Sequence, residues 1–184
     1  VNDSDTISVN TANSLTETTS GVVTATIDPT TTILTLATLD ADEGDTNNLT
    51  ITIREADKTS STAAQLNAVS AATSLGVNLT NLEGLAASTV SDLEDLFTAM
   101  DEGSFTNFSD IATISVSGAT VDATNVLSLV DSFDILNGDN TTAFSLASEA
   151  TIQIDADEVS SFLSNESANR LTIDDQDIEV NSAA

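Results

Sequence analysis

Asp40-Ala41-Asp42-Glu43-Gly44-Asp45 packs four carboxylates and a glycine into one turn. Carboxylate oxygens at that density suit Ca2+, a hard cation that takes about six to eight oxygen ligands. Asp40, Asp42 and Asp45 are the candidate ligands there. Asp155 and Asp157, in Asp155-Ala156-Asp157-Glu158, form a second candidate set. Neither turn has the spacing of a calcium-binding helix–loop–helix. In the first, the glycine is not at the sixth position and no Glu stands at the twelfth. A solvated acidic loop is the preferred explanation of the first turn, and a helix N-terminal cap explains the second equally well. A third block, Asp174-Asp175-Gln176-Asp177, reads as a charged strand edge that discourages unwanted pairing. Two carboxylates are also what a glycoside hydrolase needs. Nothing in the chain gathers such a pair, and there is no Trp or Tyr to face a sugar ring. With no His and no Cys, the usual general base, thiolate nucleophile and soft-metal ligands are missing as well. The expectation is a non-enzyme whose one candidate cofactor is Ca2+.

Charge narrows the partners. Thirty acidic residues face three basic ones (Arg54, Lys58 and Arg170), for a net charge of -27. Phosphate backbones are bound through Lys and Arg, so nucleic acid is excluded as a partner, and anionic membrane surfaces are disfavoured. No apolar run is long enough for a membrane span. The apolar share, 40%, is nonetheless that of a folded chain. A chain free of Cys, poor in Lys and rich in Thr, Ser and Asp suits an extracellular or cell-surface location. The start at Val1, without a signal segment, fits a processed product or a fragment.

The elements that position these residues repeat. A short apolar strand, an acidic turn and a small amphipathic helix recur from Leu49, from Ala112, from Ala150 and, more loosely, from Val77. Strands are expected near Thr6–Val9, Val22–Ile27, Leu49–Arg54, Val77–Thr80, Ala112–Val116, Thr151–Ile154 and Leu171–Ile173. Helices are expected over Thr32–Leu39, Ser61–Ser74, Ser88–Met100, Ala123–Phe133 and Asp157–Asn165. Asp28, Asp57, Glu83, Asp122 and Asp157 follow the strands, where a carboxylate can accept the orphan N–H bonds of a helix start. Pro29, the only proline, fits a first helical position.

Strands separated by helices need crossovers, and crossovers give parallel pairing. The fold class is therefore α/β, read as an irregular strand–helix solenoid with one mainly parallel sheet. The alternative is a compact α/β or mixed β-rich domain. Alternating, Thr-rich strands favour the solenoid, because a sheet covered on both faces carries nearly continuous apolar strands. Residues 1–184 form one repeat-built domain. Residues 1–20 include a candidate exchangeable strand, and 171–184 a C-terminal edge strand and tail. Thr-rich faces also suggest a hydroxyl array of the kind that binds ice, although T-x-T ranks are absent from most units. Six N-x-S/T sequons begin at Asn2, Asn48, Asn78, Asn107, Asn140 and Asn165.

The segments VVTATID, LTITIREAD with AAQLNAVSAAT, and ATISVSGATVDATNVLSLVD resemble repeats of very large surface and secreted proteins of marine cyanobacteria. These are surface-layer and motility-associated proteins, loosely described as hemolysin-type calcium-binding. The G-G-x-G-x-D repeat of true calcium-binding nonapeptides does not occur. The resemblance implies an extracellular, non-enzymatic, structural role.

The expected function is self-assembly into a surface layer, fibre or filament by end-to-end strand addition. Ile7 and Val9 at one end, and Leu171, Ile173, Ile178 and Val180 at the other, are the candidate assembly residues. The partner is then another copy of the chain. Alternatives are a calcium-dependent adhesin that binds a glycan or cell surface, and a virion decoration or fibre protein.

Overall fold

Apolar residues at helical spacing place the helices, and hydroxyls set where most of them begin. The computed structural model describes residues 2–41, 47–138, 141–148, 150–168, 170–173 and 176–181. Helix α1 spans Val9–Thr18, α2 Ile33–Leu36, α3 Ala63–Ser70, α4 Val90–Asp101, α5 Ala123–Asn137 and α6 Val159–Ser167. The first four are capped by Ser8, Thr32, Thr62 and Thr89, whose side chains accept an N–H of the first turn. Thr62 and Gln65 complete a reciprocal capping box. Each such cap contributes about 1 kcal/mol.

Acidic caps are the exception, contrary to the sequence expectation. Asp122 does cap α5, accepting the amides of Thr124 and Asn125 at 2.9 and 3.3 Å. Asp28 instead closes its own turn on Thr30, through both the amide and the hydroxyl. That turn holds Pro29, so α2 starts four residues after the proline rather than at it. Glu83 precedes a strand and pairs with Lys58 at 3.0 Å. Asp157 is not the cap of α6: Glu158 stands at the N-cap position, and its side chain accepts no amide of the first turn.

The strands are β1 Asn2–Ile7, β2 Thr24–Ile27, β3 Asn48–Thr50, β4 Val77–Asn78, β5 Gly84–Thr89 and β6 Phe105–Thr106. They continue with β7 Thr113–Ser117, β8 Thr120–Asp122, β9 Ala143–Leu146, β10 Thr151–Asp155, β11 Leu171–Thr172 and β12 Asp177–Asn181. Among the described residues every pairing is parallel, as crossover connections require. The expected single sheet is instead four: β1-β2-β3, β4-β6, β5-β7-β9-β11 and β8-β10-β12. An isolated bridge from Thr52 to Asn78 links the first two. The domain is thus mixed α/β, with parallel sheets and six helices among the described residues, which fits the compact α/β alternative.

Four sheets arise because several units carry two strands rather than one. After β7, a turn at Gly118 redirects the chain into β8, in another sheet, before α5 begins. The pair β9 and β10 repeats the pattern before α6. Gly84 opens β5 where its backbone lies hard against Thr113, so any Cβ there would clash. Inward-facing Ile, Leu, Val and Phe from the strands meet the apolar stripes of the helices in one continuous core. Phe133 on α5 is fully buried in it, with ring centroids 5.1 Å from Phe97 and 6.4 Å from Phe144.

Candidate functional site: interunit pins and the C-terminal edge

Side chains that reach into a neighbouring unit tie the structure together. Asp57 is buried and accepts the Ile33 amide, 24 residues away, at 2.7 Å. It also accepts Nε and Nη2 of Arg54 at 2.8 and 3.1 Å. The Arg54 guanidinium, helped by the Ile33 amide, holds the Asp57 carboxyl below its ordinary value against the opposing effect of burial. Ser88 makes the same kind of connection without charge, its hydroxyl accepting the Ala63 amide, 25 residues away, at 2.9 Å. A bulge between Leu85 and Ser88 turns that side chain inward, where it is 3% exposed. Asn13, Asn47, Asn67 and Asn81 bridge to backbone 24 to 28 residues away in the same manner. Lys58 reaches Glu83, and that contact raises the lysine pKa. Toward the C-terminus, buried Arg170 donates to the Thr142 carbonyl at 3.2 Å and pairs with Asp134.

The candidate assembly residues divide sharply. Ile7 and Val9 are buried, and Val9 opens α1 instead of closing a strand. The N-terminal segment forms strand β1 and helix α1, which place Ile7, Val9 and Ala12 in the core. Leu171 is also buried, paired with Phe144 across β11 and β9. Ile173 is partly buried against the core. Ile178 and Val180 behave differently: they are 50% and 56% exposed.

Register explains that exposure. Val121, Ile152 and Ile178 stand side by side across β8, β10 and β12, and Ile154 stands beside Val180. Val121, Ile152 and Ile154 are at most 3% exposed. Two core rows thus run through the sheet and end half-covered at its last strand. Beyond β12 no strand pairs among the described residues, which leave that backbone edge without a partner strand. Gln176 anchors the approach to β12 by donating to the carbonyls of Leu146 and Ala147, both at 3.1 Å. Asp177 and Glu179 alternate with the apolar pair along the strand, and all of β12 is exposed.

Three of the five candidate calcium ligands, Asp40, Asp155 and Asp157, fall within the described residues. Asp40 is exposed, and its amide donates to Asn13 at 3.1 Å. Asp42 and Asp45 lie outside the described residues. Asp155 and Asp157 are exposed, and the Asp155 turn is closed by Glu158, whose amide donates to the Asp155 carbonyl at 3.0 Å. No group of three carboxylates able to hold a metal ion occurs among the described residues. A surface groove of about 350 Å³ runs between α4 and α5, floored by Phe97 and Leu129 and rimmed by Glu94, Asp101 and Ile135. No helix among the described residues is long and apolar enough to cross a membrane.

Sequence reasoning missed the pins because partners 24 residues apart show no local pattern. It named Ile178 and Val180 but could not separate them from buried Leu171. No protein-family profile, curated protein or solved structure matches the chain.

Proposed function

We propose that the chain is an extracellular structural module, an irregular α/β solenoid that assembles end to end through β12. What supports the solenoid is the order of the sheets, in which strands from successive units lie side by side, as β5, β7, β9 and β11 do. The single observation that carries assembly is the pair of core rows that emerge at Ile178 and Val180 beside a backbone edge without a partner strand among the described residues. A second copy laid on β12 would complete both rows and gain parallel backbone hydrogen bonds. Covering the remaining half of each side chain contributes about 1 kcal/mol per residue before ordering costs. The strand bonds then supply the rest of the affinity. The high negative charge opposes association, so assembly strengthens with ionic strength as repulsion is screened.

The test is sedimentation velocity of the full chain and of the double variant Ile178→Asp, Val180→Asp over a range of concentration and salt. Growth of large species by the parent chain and their loss in the variant is the expected result. Because both side chains are already half exposed, the monomer fold should survive the change. A parent chain that stays monomeric throughout, or a variant that polymerises equally well, would overturn the reading. Removal of residues 1–10 is a poor alternative, since it would take buried Ile7 and Val9 out of the core.

A further inference from the structure

The outward face of β1, β2 and β3, continued through Thr52 onto β4 and β6, forms ranks that the sequence conceals. Thr6, Thr26 and Thr50 align across three strands, although their spacing along the chain is unequal. Thr24 aligns with Asn48 one step back along the strands. Thr52, Asn78 and Thr106 align one step forward. On the reverse side Ala25, Ile27, Leu49 and Ile51 are buried, which fixes the hydroxyl-bearing face outward.

Two further features set this face apart. None of its eight ranked positions is charged, in a chain of net charge -27. The sheet β8-β10-β12, by contrast, places Asp122, Gln153 and Glu179 in one rank and ends another in Asp177. In addition, among the described residues the hydroxyls of the six ranked threonines make no hydrogen bond within the protein. Thr38, Thr73, Thr98 and Thr142 elsewhere spend theirs on backbone carbonyls.

We infer that this face binds ice. Parallel strands set neighbouring threonines about 4.8 Å apart across the sheet, and alternate residues about 6.7 Å apart along a strand. Both distances lie close to repeats of the oxygen lattice of hexagonal ice. Each threonine offers a hydroxyl that can take a lattice position and a methyl that keeps bulk water from competing for it. Carboxylates would instead hold mobile hydration and counterions, and they are absent from the ranks. A second sheet is the less suitable occupant, because sheet-on-sheet packing interdigitates apolar side chains over a dry core. A sugar polymer would lack aromatic platforms to stack on.

The test pairs ice-affinity partition with thermal hysteresis, using the full chain and three variants whose folding is checked by circular dichroism. Thr26→Lys breaks the central rank, and Thr50→Lys breaks it at a more exposed position. Thr120→Lys adds the same charge on the acidic sheet. The parent chain and Thr120→Lys should enter growing ice severalfold more than a non-binding acidic protein of similar size. The two rank variants should fall to that background while remaining folded. Ice uptake at background by the parent chain would overturn the inference, as would full uptake by both folded rank variants. A parent chain that dimerises through this face and ignores ice would overturn it in favour of a sheet-stacking contact.

Discussion

Replacement of Asp57 by alanine isolates one interunit pin. The Asp57 side chain is 7% exposed and accepts three N–H groups, one from Ile33 and two from Arg54. Ile33 is itself 4% exposed, so its amide has little access to water once the carboxylate is gone. An unsatisfied buried donor costs about 1–3 kcal/mol. Arg54 keeps 30% of its side chain in solvent and can rehydrate, so loss of the ion pair adds about 1 kcal/mol at most. The expected destabilisation is therefore about 1–4 kcal/mol at neutral pH.

Its pH dependence follows from linkage. The folded-state pKa of Asp57 is lowered below the unfolded value, so the unfolded chain binds the proton more readily. The stabilisation is present above the unfolded pKa of about 4 and is lost as pH falls through the lower folded value. Acidification also relieves repulsion among the many other carboxylates, so the stability of the parent chain alone is not diagnostic. The gap between parent and Asp57→Ala is diagnostic, measured by urea unfolding from pH 7 down to pH 3. The gap should be flat above about pH 5 and narrow below about pH 4. A gap under about 0.5 kcal/mol at pH 7, typical of an ordinary surface change, would refute the pin. So would a gap that widens in acid.

Ser88→Ala removes the uncharged counterpart and leaves the fully buried Ala63 amide without its acceptor. A loss of about 1–3 kcal/mol, independent of pH, is expected from the same unfolding assay. Phe133→Ala empties the centre of the aromatic trio that joins α4, α5 and β9. It should cost about 3–5 kcal/mol and lower the thermal midpoint accordingly. Calcium at millimolar concentration should raise that midpoint no more than an ionic-strength control, since the described candidate ligands are exposed. A larger shift would restore the acidic turns as a binding site.

Helix α4 was legible because Leu93, Phe97 and Met100 repeat at helical spacing and Thr89 caps them. The alternating Leu49-Thr50-Ile51-Thr52-Ile53 run was legible as a half-covered strand, with its Leu and Ile residues buried. Strand β5 was not, because Gly84, Ala86 and Ala87 have no β-branched signature and the strand exists through its pairing with β7. Val9 looked like a strand residue, but the Ser8 cap turns the chain into α1 at that point. The acidic turns misled for a related reason. A carboxylate caps whichever amide lies near it in space, and for Asp57 that amide belongs to the preceding unit. Threonine ranks were hidden in the same way, since offsets between strands vary and only the register reveals them.

Amide hydrogen exchange of residues 177–181, followed as the chain is concentrated, addresses the assembly reading most directly. Exchange along β12 should slow in step with the growth of larger species, and should stay fast in the variant carrying Ile178→Asp and Val180→Asp. Rapid exchange at β12 in material that has polymerised, or a chain that never polymerises, would contradict end-to-end stacking through this edge.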